Sequence, residues 1–173
     1  MMSQLCYDIF DSPIGILTIV ADTDALCRVM LQSNDHTTKE HECWHYAPST
    51  TLLKQARTQL LDYLHGELHT FSLPLRPQGT PFQCAVWKAL AHISFGQTWS
   101  YAQLAAHIGR PSASRAVGAA NARNPLPIVL PCHRVIGSNG ALTGFNGGLH
   151  IKRSLLYLEG TKPTHTCKTI MTS

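Results

Sequence analysis

Alternating apolar and polar positions open the chain. Tyr7 to Phe10 and Ile16 to Val20 read as strands flanking a turn at Asp11-Ser12-Pro13-Ile14-Gly15. Ala25 to Leu31 reads as a third strand, after the polar turn Asp22 to Asp24. Residues 32–50 are polar and follow no period. From Thr51 to His65 the rhythm becomes helical: Leu53, Ala56, Leu60, Leu61 and Leu64 recur at about three- to four-residue intervals, and Gly66 supplies a stop. Leu68 to Leu73 is predicted as a further strand. This order gives a small α+β domain over residues 1–73.

Pro74, Pro77 and Gly79 mark a linker at 74–80, and beyond it the pattern is helical. Thr80-Pro81 pairs an N-cap with a first-turn proline. Phe82, Val86, Ala89, Leu90 and Ile93 then share one apolar face, and at that spacing Val86 and Trp87 belong to a core rather than to a base-stacking stripe. Ser100 caps a second helix through Ile108, ended by Gly109, and a third runs from about Ser112 to Asn121. Prolines and glycines break up 124–148, and a last helix covers about Leu149 to Leu158. The second and third helices, joined through Gly109-Arg110-Pro111, have the proportions of a helix-turn-helix with Arg115 near the start of its second member. A helical hairpin used only for packing fits the spacing equally well.

Charge shifts the balance. Residues 1–79 hold nine acidic and five basic side chains, whereas 80–173 hold nine basic ones and a single acid, Glu159. The halves are thus formally −4 and +8, an asymmetry expected when one part faces a polyanion. A lone carboxylate in so basic a half calls for a specific partner. No apolar run approaches the roughly 18 to 20 residues needed to cross a membrane, and the start shows no signal-peptide pattern. A cytoplasmic protein with no membrane association is expected. The six cysteines lack the spacing of a disulfide framework and read as free thiols.

One cysteine has chemical surroundings. Asn124-Pro-Leu-Pro-Ile-Val-Leu-Pro-Cys-His-Arg-Val-Ile-Gly ends an apolar run at Pro131 and places Cys132 directly before His133 and Arg134. A helical turn beginning there would set the sulfur at a helix N-terminus, where the dipole, the imidazole and the guanidinium all favour thiolate, the nucleophilic form. Glu159 is the only carboxylate in this half that could orient the histidine. A buried structural cysteine, half of a metal site and a thiol hydrolase use the same residues. Physics leaves Cys132 a plausible nucleophile without naming its substrate.

The stretch Pro81 to Gly160 resembles the O6-alkylguanine-DNA alkyltransferase family throughout. The matching residues are Phe82-Gln83, Val86-Trp87, Gly96-Gln97-Thr98, Ser100-Tyr101, Leu104-Ala105, Arg115-Ala-Val-Gly-Ala-Ala-Asn and Asn124-Pro125-Leu126. They continue with Pro131-Cys-His-Arg-Val-Ile, Gly144-Phe145, Gly147-Gly148 and Leu155 to Gly160. Asp11-Ser-Pro-Ile-Gly-Ile-Leu is similar to the family's N-terminal strand turn. The resemblance implies a ribonuclease-H-like α/β domain without nuclease activity, then a mainly helical DNA-binding and alkyltransferase domain over 81–160 with a helix-turn-helix, and a tail at 161–173.

It also implies roles. Arg115 fills the place of an extruded base, and Tyr101 helps rotate its phosphate, with Ala116 and Arg123 also against DNA. Extrusion meets the need to expose an atom buried in the stack. The flipped guanine enters a pocket near Tyr101, Val135 and Asn146. Glu159 orients His133, which activates Cys132 through a water; Cys132 attacks the alkyl carbon, and Tyr101 protonates the departing guanine. Asn124 is the hinge between recognition helix and active-site turn. The partner is double-stranded DNA carrying O6-alkylguanine, activity on O4-alkylthymine is left open by the sequence, and a monomer is expected. The product thioether consumes the protein, and no cofactor is needed. A module that recognises the alkylated base without repairing it is the alternative.

Ala122, Phe145 and His150-Ile151 depart from the family pattern, which touches tolerance for bulky alkyl groups rather than the reacting residues. Arg110, Arg123, Lys152 and Arg153 are expected phosphate contacts. His41, Cys43 and His45, with Cys6, Cys27, His65 and His69, invite a metal reading, but surface histidines explain them more simply and no metal is expected.

Overall fold

The computed structural model describes residues 4–31 and 43–161. Three strands, β1 (Cys6–Ser12), β2 (Gly15–Ala21) and β3 (Leu26–Leu31), form an antiparallel meander. β1 and β2 turn within two residues: Ser12 Oγ accepts from Ile14 N, and Gly15 takes φ +107°, a conformation that glycine adopts without penalty. Period-2 alternation sends Asp8 and Phe10 inward and Ile9 and Asp11 outward. α1 (Thr51–Leu64) lies on the inner face and buries Leu53, Ala56, Leu60, Tyr63 and Leu64.

The fourth strand is not the one the sequence suggested. β4 (His45–Tyr46) pairs in parallel with β1, giving the order β3-β2-β1-β4. Its two residues are too few to show a period. Leu68 to Leu73 forms no strand. Leu68, Phe71 and Leu73 pack on the core, while backbone pairing comes later: Leu26 N–H donates to Pro74 O and Arg76 N–H to Leu26 O.

The second part is helical. α2 (Pro81–Leu90) and α3 (Tyr101–His107) each start on a reciprocal capping box, Thr80 with Gln83 and Ser100 with Gln103. Gly109 ends the second with φ +71°. α4 (Ser114–Ala122) starts two residues later than expected and has no side-chain cap. Trp87 Nε1 donates to Ala120 O over 2.8 Å, fastening α2 to the last turn of α4. A two-stranded parallel ladder joins β5 (Trp99–Ser100) to β6 (Val135–Ile136), and α5 (Leu149–Leu158) is the last element among the described residues. The two parts share one continuous apolar core. Across the seam, Val29 N–H in β3 donates to Pro125 O in the loop leading to Cys132.

Candidate active site

That loop is held under tension. Ile128 is buried yet has φ +75°, a region costly for a β-branched residue, on the order of 1–3 kcal/mol. Asn124 holds the loop from within: its amide donates to Leu130 O (2.7 Å) and its Oδ1 accepts from Leu126 N (3.0 Å). Pro131, at φ −79° and ψ 66°, makes a three-residue turn in which Cys132 N–H donates to Leu130 O. The turn delivers Cys132 to a single turn of 3-10 helix, Cys132–Arg134.

Cys132 is 4% exposed. Burial pushes its thiol pKa up; the Asn124 side chain, the Lys152 ammonium and the backbone N–H groups of Cys132 and His133 pull the other way. This corrects the expectation of a thiolate made by helix dipole, imidazole and guanidinium together. Three residues of 3-10 helix carry little dipole, and Arg134 turns away from the sulfur. Its Nε and Nη2 donate to Glu159, and its Nη1 donates to Ile93 O. A proton acceptor is therefore needed at the moment of reaction.

His133 is placed to be one. It is fully buried, and burial lowers its pKa, opposed by Glu159 and assisted by Arg134 and Lys152, so the ring is neutral near pH 7. Nε2 lies 2.9 Å from Glu159 Oε1, while Nδ1 makes no hydrogen bond to the protein. Glu159 follows the last turn of α5 as its C-cap. Burial raises its pKa, but hydrogen bonds from His133, Arg134 and Tyr63 outweigh that and bring it down to about 2. Gly96 N–H donates to Oε2 (3.1 Å), so the lone acid of the basic half is tied to several segments at once.

Lys152 is fully buried on α5. Its ammonium donates to Val135 O (2.6 Å), Thr143 O (2.8 Å) and Gly144 O (3.5 Å), clamping the loop after β6. The expectation that it contacts phosphate is thus overturned. Burial lowers its pKa to about 8, and Cys132 counters that shift. Tyr101, the first residue of α3, donates to the same Thr143 O at 3.2 Å and lies against Gly118 of α4. Val135 is buried directly after the 3-10 turn, and Asn146 is exposed on the loop. Arg115 and Ala116 are exposed in the first turn of α4; Arg110, Arg123 and Arg153 are exposed too.

The structure brings Cys132, His133 and Glu159 into one buried group, with Asn124 at its loop, and leaves Arg115 on the surface. Three contributors escaped the sequence. Asn121, in the last turn of α4, donates to Cys132 O (3.3 Å), a direct link from α4 to the 3-10 turn. Lys152 occupies one helical face with Leu155, Leu156 and Glu159, the three- to four-residue spacing that marks a buried stripe. Tyr63 lies on the α1 stripe with Ala56 and Leu60 by the same rule, and it reaches the Glu159 carboxylate from the other half of the chain. Among the described residues, no group of three or more His, Cys, Asp or Glu could hold a metal ion; His41 lies outside them.

Comparison with known proteins places this geometry in context. Residues 81–161 match the model of the 6-O-methylguanine DNA methyltransferase DNA binding domain, and residues 5–77 match the ribonuclease-like domain of the same group. A methylated-DNA–protein-cysteine methyltransferase of Methanosarcina acetivorans is 45% identical over 155 residues, covering 90% of this chain and 98% of its own. The constitutive counterpart of Bacillus subtilis is 47% identical, covering 88% and 94%. The crystal structure of Mycobacterium tuberculosis O6-methylguanine methyltransferase superposes with a TM-score of 0.84 at 42% identity, over 94% of this chain and 97% of that one. A complex of the M. tuberculosis protein with DNA gives 0.81 at 45% identity, over 89% and 92%.

Proposed function

The chain belongs to the 6-O-methylguanine DNA methyltransferase family, and from that premise we propose that Cys132 is the residue on which its direct-reversal DNA repair ends. The observation that carries this is the buried sequence-adjacent pair Cys132-His133 with Glu159 2.9 Å from the imidazole. The substrate is duplex DNA bearing O6-alkylguanine. The basic second half meets the duplex, Arg115 fills the gap left by the extruded base with Ala116 and Arg123 beside it, and Tyr101 helps turn the phosphate. The guanine then sits between Tyr101, Val135 and the loop at Asn146.

The chemistry follows from the proton inventory. Nε2 of His133 donates to Glu159, leaving Nδ1 as the lone-pair nitrogen. The Cys132 proton passes to Nδ1 through a water. The sulfur attacks the alkyl carbon in line; the C–S bond forms as the bond to guanine O6 breaks. The base leaves with the electron pair and takes a proton from the Tyr101 hydroxyl. Lys152 holds a positive charge near the developing thiolate. That charge lowers the cost of an anion in a buried site, and Asn124 keeps the loop in register. The alkylated sulfur is a thioether, which water does not cleave, so each molecule acts once. The protein works as a monomer in the cytoplasm; none of the described helices is long and apolar enough to cross a membrane.

Intact mass spectrometry with excess duplex containing O6-methylguanine tests the reading. One addition of about 14 Da, the mass of a methylene, is expected on the wild type and maps to Cys132, with none on Cys132→Ala. A protein that binds the duplex and gains no mass is a recognition module instead.

A further inference from the structure

Helix α1 belongs to the first half of the chain, yet it sends a side chain into the reaction centre of the second. Tyr63 is fully buried, and its hydroxyl lies 2.5 Å from Glu159 Oε1 and 3.1 Å from His133 Nε2. Its ring is held by Phe71, tilted with centroids 5.3 Å apart, and by the edge of Phe95 at 6.1 Å. Phenylalanine would keep both ring contacts. The hydroxyl has a separate purpose, because a buried O–H stabilises nothing unless it is paired.

Counting protons defines that purpose. Glu159 is ionised, so its oxygens only accept. Burial and the adjacent carboxylate drive the Tyr63 phenol pKa upward, so it keeps its proton and donates it to Oε1. Only lone pairs then remain on the Tyr63 oxygen to face His133 Nε2. The imidazole meets two acceptors at this nitrogen and must carry its proton there.

We propose that Tyr63 is a positioning residue for alkyl transfer: its hydroxyl bridges His133 and Glu159, fixes the Nε2–H tautomer and draws off part of the carboxylate's charge, so that His133 waits as a neutral base. The proposal rests on His133 being the base that serves Cys132. The charged and titratable groups around the imidazole are Tyr63 from α1, Arg134 and Cys132 from the catalytic turn, and Lys152 and Glu159 from α5 and its cap. Tyr63 makes the closest of the hydrogen bonds to Glu159. Removing it leaves the carboxylate free to hold an imidazolium more tightly, which raises the pH at which His133 becomes a base.

The test is the single-turnover transfer rate of wild type and Tyr63→Phe across pH, on duplex containing O6-methylguanine, with duplex affinity measured in parallel. The variant is expected to be about tenfold slower near neutral pH, a fraction of what a positioned general base contributes. Its acid-limb midpoint should lie at higher pH, the deficit should shrink as pH rises, and affinity should be unchanged. A variant with the wild-type midpoint overturns the proposal, whether its rate is normal or uniformly reduced with a lower melting temperature. A wild type that never gains mass would instead remove the underlying assignment. Should Tyr63→Phe fail to fold, histidine nitrogen NMR of the wild type decides. A protonated Nε2 with bare Nδ1 on His133 is expected, and a protonated Nδ1 overturns the idea.

Discussion

Glu159 Oε1 receives Tyr63 Oη, His133 Nε2 and both Nε and Nη2 of Arg134 within 3.1 Å, and Oε2 receives Arg134 Nε and Gly96 N. This concentration of donors outweighs burial and the unfavourable placement of an anion at a helix C-terminus. With the carboxyl pKa at about 2 against 4.5 unfolded, its contribution is present above pH 4.5 and is lost as pH falls toward 2. Urea unfolding should show wild type losing about 2 kcal/mol between pH 5 and pH 3 from this group. Glu159→Gln should lack that increment, while starting about 3 kcal/mol less stable at pH 7 because Arg134 is left buried without its counter-charge. An equal acid loss in both proteins would place the linkage elsewhere. Lys152 shows the limit of reading single residues: its charge says surface, and only the buried stripe it shares with Leu155 and Leu156 says otherwise.

Among elements, those with local punctuation were legible in the sequence. Thr80-Pro81, Ser100 and Gly109 mark helix ends through chemistry confined to a few residues, and α2 and α3 lie where those marks put them. Removing the Ser100 hydroxyl should cost about 1 kcal/mol in chemical unfolding, since Gln103 N–H loses its acceptor; an unchanged midpoint would mean that the tertiary frame alone holds the start of α3. Elements made by long-range partners were not legible. β4 exists because β1 offers an open edge, and Leu68 to Leu73 stays irregular because its apolar side chains find the core without a ladder. The candidate site divides the same way. Cys132 and His133 stood out by type and adjacency and Glu159 as the lone acid of its half, whereas the stripe that buries Tyr63 says nothing of its reach to Glu159, and the Asn121 contact spans a distance that no local pattern encodes.

For the whole molecule, the charge imbalance becomes a measurable salt dependence. Arg110, Arg123 and Arg153 are exposed on the basic half, and each arginine that neutralises a phosphate contributes about −0.9 to the slope of log affinity against log salt. Single alanine variants at these positions should flatten the slope by about that amount. Lys152→Met should leave the slope alone while slowing transfer, because its ammonium is spent on Val135, Thr143 and Gly144 carbonyls; a flattened slope in that variant would return Lys152 to the DNA surface.

The Glu159 junction also sets a schedule for biosynthesis. Its carboxylate lies 26 residues beyond His133, and the Tyr63 hydroxyl that it accepts lies 96 residues upstream. A ribosome-bound chain that has just exposed Cys132 therefore holds a thiol with no oriented base. On the proposed mechanism, full reactivity arrives only when α5 has emerged and docked, bringing Glu159 to Tyr63 and His133. If the protein spends itself in one event, as proposed, such a delay would keep immature copies from reacting with stray electrophiles.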